Sequence, residues 1–245
     1  MEIIGLKLPL IKEGDDLAEI ILRLLENMGM TLEDDDIVLV TEKIVSKSQG
    51  RLVDMKTVTP TEEAEKLADA TDKDPRIVEL ILRESREIVL TGPNFIITET
   101  RDGFVCANAG IDSSNVVEGK VKLLPLDPDR AAEEIRQKIE KTLGKHIGVV
   151  ISDSFGRPFR SGSVGVAIGA SGLTALWDRR GETDLYGRTL ESTRVAVADC
   201  IASAANLVTG DGSEGIPVAV IKGLKFTGVG RAADLIRPKE EDRFR

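Results

Sequence analysis

The sequence predicts an α+β protein in which mixed sheets are flanked by helices. Helix-type and strand-type patterns alternate from end to end, some strands join through tight turns, and other strands are separated by long connections. Hydrophobic residues make up 41% of the 245 residues, as in a folded globular protein. We expect one unit over residues 1–245, with two subdomains that meet near residues 120–127.

Helical periodicity and a buried strand open the chain. Apolar residues recur at helical spacing over residues 17–28, and Asp15 or Asp16 precedes them as a cap. A short apolar run at residues 37–40 follows an acidic turn and predicts a strand buried on both faces. These two segments therefore predict a helix followed by an inner strand.

Cap residues followed by proline predict three more helices. The pairs are Thr59-Pro60, Asp74-Pro75 and Asp127-Pro128. Proline suits the first helical position because its missing N–H would have no partner there. Glu62 lies three residues after Thr59 and predicts a capping box at that helix.

Further strands are predicted from apolar runs and turn residues. Residues 88–90 and 95–97 form two such runs, and a turn at residues 102–103 leads into another. Residues 147–151 are typical of a buried strand. An Ala-rich helix from about residue 190 to 208 and a strand at 217–221 complete the predicted order.

Composition excludes several classes of function. The net charge of −9 and only eight aromatic residues argue against binding of nucleic acid. No basic leader or long apolar stretch is present, so we expect a cytoplasmic protein that does not enter a membrane. Cys106, Cys200 and His146 are too few and too scattered for a zinc site. Any metal should be bound by oxygen, as Mg²⁺ or Mn²⁺ is.

Two polar segments carry acidic residues that could bind such a metal. In the first, residues 108–115, Asp112 lies among small and amide side chains after a strand. In the second, residues 153–160, Asp153 and Ser154 follow the buried strand, where open sheets place their ligands. Arg157 and Arg160 could bind phosphate or carboxylate beside them.

Two other segments are suited to phosphate. Residues 209–215 contain three glycines and two acids, more than a helix cap needs, and their backbone N–H groups could face a phosphate. Lys43, Lys47 and Arg51 recur every four residues and would share one face of a helix. Together with the acidic segments, they indicate a nucleotide and metal site.

These segments together resemble the coenzyme F420-0:L-glutamate ligase family in its stand-alone form, over essentially the whole chain. The resemblance rests on Leu8-Pro9-Leu10-Ile11, Gly14-Asp15-Asp16, Ser46-Lys47, residues 108–112, Asn115-Val116, Ser152-Asp153-Ser154, residues 184–188 and Gly210-Asp211-Gly212. It implies a two-domain monomer in an intertwined homodimer. We expect the Ala-rich helix and the uncharged residues 161–177 at the contact between subunits.

The resemblance also implies substrates, cofactors and site residues. The substrates are F420-0, L-glutamate and GTP, and the cofactors are two Mg²⁺ or Mn²⁺ ions per site together with K⁺. Metal ligands are expected at Asp112, Asp153, Ser154 and Asp211, of which Asp112 and Asp153 are also expected to be catalytic. Nucleotide-binding residues are expected at Leu8, Pro9, Leu10, Ile11, Thr41, Lys43, Lys47, Asn115, Thr209, Gly210, Gly212, Ser213 and Gly215.

The expected chemistry is phosphorylation of a carboxylate by GTP, because a free carboxylate has no leaving group for an amine to displace. That route needs metal ions and cations but no nucleophilic Cys or His. Two alternatives remain: a metal-dependent phosphotransferase or phosphatase, and a module that binds GTP without chemistry. Turnover that depends on glutamate separates the ligase from the first alternative, and the several carboxylates suited to metal argue against the second.

Overall fold

A computed structural model describes residues 1–242 and contains strands and helices throughout. The strands are β1 (Glu2–Leu6), β2 (Ile37–Thr41), β3 (Leu52–Asp54), β4 (Ser85–Gly92), β5 (Phe95–Thr100), β6 (Val105–Ala107), β7 (Lys120–Lys122), β8 (Gly148–Arg157), β9 (Arg160–Ser171), β10 (Leu176–Asp178), β11 (Arg194–Ala196) and β12 (Val218–Lys222). The helices are α1 (Leu17–Asn27), α2 (Glu42–Ser48), α3 (Glu62–Thr71), α4 (Pro75–Glu84), α5 (Pro128–Leu143) and α6 (Val197–Thr209).

A five-stranded mixed sheet forms the centre of the fold, in the order β1-β12-β2-β8-β9. Only β2 and β8 run parallel within it, and the other neighbours are antiparallel. Side chains alternate along each strand, so one face packs against α1 and α5 and the other against α6. The predicted α+β class, with mixed sheets and flanking helices, is confirmed.

A smaller set of elements lies between residues 52 and 122 of the chain. A three-stranded sheet, β4-β5-β6, packs on α3 and α4 around Ile81 and Ile96, while β3 pairs with β7 over a second small cluster. The elements of the five-stranded sheet precede and follow this set in sequence. One face of the three-stranded sheet is thus covered by its own helices.

Two helix starts differ from the prediction. Helix α3 begins at Glu62, and its cap is Thr61, whose hydroxyl oxygen accepts from the Ala64 N–H. Thr61 also donates its own N–H and O–H to Glu79, so the cap is fixed from outside the helix. The predicted start at Thr59-Pro60, with its capping box, is therefore wrong.

The Ala-rich helix begins at Val197 rather than near residue 190, because residues 194–196 pair as strand β11. Its small side chains pack within the chain: Ala198, Ala202 and Ala205 are fully buried against the sheet. Gly165 of β9 permits this approach, since a Cβ there would lie 2.4 Å from the Ala202 carbonyl oxygen. The small residues that suggested a subunit contact thus have an intrachain role.

Strand β8 is longer than the predicted run of residues 147–151. It pairs with β2 only as far as Ser152, opposite Thr41, and then continues to Arg157 as one arm of a hairpin with β9. Asp153 and Ser154 therefore lie within β8, at the point where its pairing with β2 ends. Within residues 1–242, no helix is long and apolar enough to cross a membrane.

Candidate functional site

A cavity of about 330 Å³ opens beside the ends of β1, β2 and α6. Helix α2, the segment after β1 and the glycine-rich loop after α6 form its walls. The residues expected to bind nucleotide all line it: Leu8, Pro9, Leu10, Ile11, Thr41, Lys43, Lys47, Asn115, Thr209, Gly210, Gly212, Ser213 and Gly215. The fold brings these separated segments together, while nucleotide binding itself stays a prediction.

Two lysines of α2 face this cavity. The Lys47 Nζ donates to the Asn115 carbonyl oxygen at 2.8 Å, and the Lys43 Nζ donates to the Ser114 Oγ at 3.0 Å. Burial, followed by the nearby Lys43 charge, lowers the pKa of Lys47. An anionic ligand beside Lys47 would offset both effects, because a nearby negative charge favours the charged form of the amine.

Arg51 does not join the two lysines, contrary to the predicted shared face. Helix α2 ends at Ser48, so the spacing of four no longer applies to Arg51. Its guanidinium donates to the Leu124 carbonyl oxygen and to Glu84 at 2.6 Å. Arg51, in the segment after α2, therefore connects the last residue of α4 with the segment after β7.

The glycine-rich loop is held in place by a hydrogen bond within it and by Asn115. Gly210 ends α6 with a φ of +63°, a value that favours glycine. The Glu214 carboxylate accepts the Gly212 N–H at 2.8 Å, and the Asn115 side-chain amide donates to the Gly212 carbonyl at 2.9 Å. The Glu214 carboxylate is thus bonded within the loop, whereas the Asp211 carboxylate accepts from Ser154 of β8.

A second cavity of about 920 Å³ adjoins the first. Within the part of the chain that the structure describes, four residues line both cavities: Lys43, Asp153, Ser154 and Asp211. We call these four the shared wall. Asp112 lines the larger cavity only, so three of the four predicted metal ligands lie at the boundary between the two cavities.

The acids of the shared wall are linked by short hydrogen bonds. The Ser154 Oγ donates to Asp211 Oδ1 at 2.7 Å, and the Ser154 N–H donates to Asp153 Oδ1 at 2.7 Å. Burial raises the pKa of Asp153, an effect that Lys122 partly offsets. A buried carboxylate of this kind gains most when a cation lies against it.

Asp112 is held in a different way, through its own turn. Both the N–H and the hydroxyl of Ser114 donate to its carboxylate, and the Lys43 Nζ lies 3.8 Å from Oδ2. Although burial alone would raise the pKa of Asp112, the Ser114 hydrogen bonds lower it overall. Asp112 is therefore an ionised carboxylate at neutral pH.

The predicted metal ligands fit a hard divalent ion in chemistry, since every donor is an oxygen. In the described part of the chain, however, no three acidic, Cys or His side chains form a preassembled cluster. The donors stand instead as two groups, Asp112 with Ser114 and Asp153 with Ser154 and Asp211. One more carboxyl oxygen nearby is unpaired: the buried Glu42 Oε2 has no hydrogen-bond partner among residues 1–242.

Glu42 and Lys122 were missed in the sequence. They form an ion pair at 2.7 Å, with both side chains 1% exposed. Glu42 is the first residue of α2 and lines the smaller cavity, while the Lys122 backbone exchanges two hydrogen bonds with Asp112. Val121 and Leu123 flank Lys122 with apolar side chains, but such alternation would place the lysine on the solvent side, so no local pattern indicated that it is buried.

Comparison with known proteins gives one family. A model described as F420-0:Gamma-glutamyl ligase matches residues 5–223. The coenzyme F420:L-glutamate ligase of Methanocaldococcus jannaschii is 53% identical over 248 residues, covering 100% of this chain and 97% of that protein. Proteins of the same name from Methanothermobacter thermautotrophicus and Archaeoglobus fulgidus are 49% and 46% identical, over 100% and 97% of this chain and 99% and 93% of theirs.

Proposed function

Since the chain belongs to the F420-0:gamma-glutamyl ligase family and is therefore a ligase, we propose that it joins L-glutamate to F420-0 with GTP as the energy source. GDP and phosphate are the other products, and a further glutamate follows through a gamma-linkage. The observation that carries the proposal is the shared wall, because it gives two substrates access to the same acidic residues.

GTP occupies the smaller cavity in this proposal. Lys43 and Lys47 bind its phosphates, and the N–H groups of the glycine-rich loop surround them. Asp112, Asp153, Ser154 and Asp211 would hold the divalent ions. When bound, Mg²⁺ or Mn²⁺ supplies positive charge that stabilises the phosphoryl group during transfer.

The reaction takes place in two displacements. An oxygen of the F420-0 carboxylate attacks the γ-phosphorus of GTP, the bond to the β-phosphate oxygen breaks, and GDP leaves. The glutamate amine, having lost a proton, then attacks the acyl carbon, and phosphate leaves with the oxygen that links it to carbon. The chain orients the groups and screens their charge, and no residue forms a covalent intermediate.

We also propose that the ligase works as a homodimer. The interior positions of the Ala-rich helix no longer support this, but the hairpin of β8 and β9 carries a 91% exposed Phe159 at its tip. Leu207 of α6 is 90% exposed as well. Light scattering at micromolar concentration should give twice the chain mass, and a monomer with full activity would contradict the dimer.

One assay tests the ligase directly. The protein is incubated with F420-0, L-glutamate, GTP and Mn²⁺, and the products are weighed by mass spectrometry. A ligase gives F420-0 carrying one or more added glutamate residues, with one GDP for each. GTP breakdown at the same rate without glutamate or F420-0 would instead identify a phosphatase, and absence of any turnover would favour a GTP-binding module.

A further inference from the structure

The larger cavity has an apolar wall on the face of β4-β5-β6 that α3 and α4 leave uncovered. Phe95 and Ile97 of β5 point to this side, while Ile96 between them is fully buried on the other. A register irregularity in β4 lets both Val89 and Leu90 line the cavity. These positions form a continuous apolar surface suited to a flat ring system.

A cationic side chain stands on the wall formed by the hairpin. Arg157, near the end of β8, lines the larger cavity and has no ion-pair partner within residues 1–242. Arg160 lies opposite it in the hairpin register but lines neither cavity. The structure therefore separates two arginines that the sequence could not distinguish.

We propose that the larger cavity binds the acid substrate as an elongated anion. Its aromatic head lies on the apolar wall, a separate anionic group contacts Arg157, and its reacting carboxylate reaches the shared wall. This assignment rests on the proposed function, and it identifies the residues that select the acid.

Three features of the cavity favour this occupant. Its volume of about 920 Å³ falls in the range of cavities that enclose small organic ligands. Its continuity with the smaller cavity through Asp153, Ser154 and Asp211 places one end beside the nucleotide phosphates. Among the described residues 1–242, four acids line it; Asp112, Asp153 and Asp211 belong to the proposed metal site, which leaves Asp242 as the one other acid.

Replacement of Arg157 tests the anionic contact. Arg157→Ala should raise the KM for F420-0 by about 10- to 100-fold, the scale of one charge-assisted hydrogen bond, while the KM for GTP is unchanged. Arg157→Lys should restore part of the affinity because it keeps the charge. Arg160→Ala is the matched control, and it should behave as the unmodified enzyme.

Replacement of Leu90 tests the apolar wall in the same way. Leu90→Ala should weaken binding of F420-0 by about 3- to 10-fold, since it removes part of one apolar contact. Ile88→Ala is the control, because Ile88 lies on the same strand but outside the cavity.

The unmodified enzyme distinguishes a failure of this assignment from a failure of the proposed function. If it converts F420-0 with GTP, and Arg157→Ala and Leu90→Ala leave the KM for F420-0 unchanged, the assignment is wrong and the ligase reaction stands. If the unmodified enzyme binds F420-0 but makes no glutamylated product, the ligase reaction fails. Equilibrium binding of F420-0 to the same variants then still decides where the acid lies.

Discussion

The two cavities that meet at the shared wall are built in opposite ways. The smaller cavity is lined by the ends of elements: the turn after β1, the first turn of α2 and the loop after α6. The larger cavity is lined by the flat face of a sheet and by one arm of a hairpin. The ends of helices and strands supply charged groups and free backbone N–H donors, whereas the face of a sheet supplies a regular apolar surface.

This difference indicates that each cavity is suited to a different substrate. The smaller cavity has the lysines and glycines suited to phosphate, and the larger one has the apolar wall suited to an organic acid. Only the shared wall takes part in both. Substitutions there should affect both substrates, and substitutions elsewhere should affect one.

The largest expected effect concerns the ion pair behind the shared wall. At pH 8, where Glu42 ionises, Lys122→Met leaves the buried Glu42 carboxylate without its cationic partner and should lower the free energy of unfolding by about 3–5 kcal/mol. The double variant with Glu42→Met should recover most of that loss, since an apolar pair of similar volume needs no compensation. Denaturant unfolding checks both, and equal losses in the single and double variants would contradict this account.

The same variant should show a defined pH dependence. Burial raises the pKa of Glu42 to about 8 even with Lys122 beside it, so the folded protein holds a proton that the unfolded chain has lost above about pH 4.5. Stability of Lys122→Met should therefore fall as the pH rises from 5 to 8. Unfolding curves at the two pH values measure this, and a loss that is greater at pH 5 would be inconsistent with it.

Asp153 gives the next largest effect. Asp153→Asn should lower turnover by about 10²-fold or more, because it removes charge where the phosphoryl group is transferred. The fold should persist, as judged by thermal unfolding. Asp199→Asn is the control, since Asp199 is a partly buried acid that lines neither cavity, and near-normal turnover of the Asp153 variant would remove Asp153 from the site.

Lys47 should separate the two cavities. Lys47→Ala should weaken GTP binding by about 1.5–3 kcal/mol, the value of a charge-assisted hydrogen bond, without changing the affinity for F420-0. Calorimetry with each ligand measures this, with the exposed Lys66→Ala as control. Unchanged GTP affinity would mean that Lys47 serves only its contact with Asn115.

The smallest effect is a difference in labelling between the two cysteines. Burial raises the pKa of Cys106, which lines the larger cavity, to about 12, while Cys200 is exposed on α6. Iodoacetamide at pH 8 should therefore modify Cys200 and leave Cys106 unmodified until the protein unfolds. Rapid labelling of Cys106 in the folded protein would show that this end of the cavity is more polar than described.

Local patterns in the sequence were sufficient for much of the fold. The spacing over residues 17–28 predicted α1, and the caps Asp74 and Asp127 each accept an N–H at the start of their helices. The start of α3 could not be predicted in the same way, because its cap Thr61 is held by Glu79, a residue from the next helix. A tertiary contact therefore determines which residue caps α3, where the local sequence offered more than one candidate.

The site shows the same limit. Its acids and lysines could be selected as residues suited to phosphate and metal, but no local pattern predicted two cavities or the separation of Arg157 from Arg160. Glu42 and Lys122 are 80 positions apart, and their pairing depends on how β7 packs under α2. A local stretch of sequence shows that a residue is suited to a kind of chemistry, but the residue it pairs with depends on the whole fold.

The transfer of oxygen from substrate to phosphate tests the central claim, that the two cavities deliver a carboxylate and a phosphoryl group to the shared wall. F420-0 with a heavy-oxygen label in its carboxylate is converted in unlabelled water, and the released phosphate is examined by mass spectrometry. One labelled oxygen per phosphate is expected, because the carboxylate oxygen bridges carbon and phosphorus before glutamate attacks. Phosphate without label, released together with glutamylated product, would contradict the acyl-phosphate route.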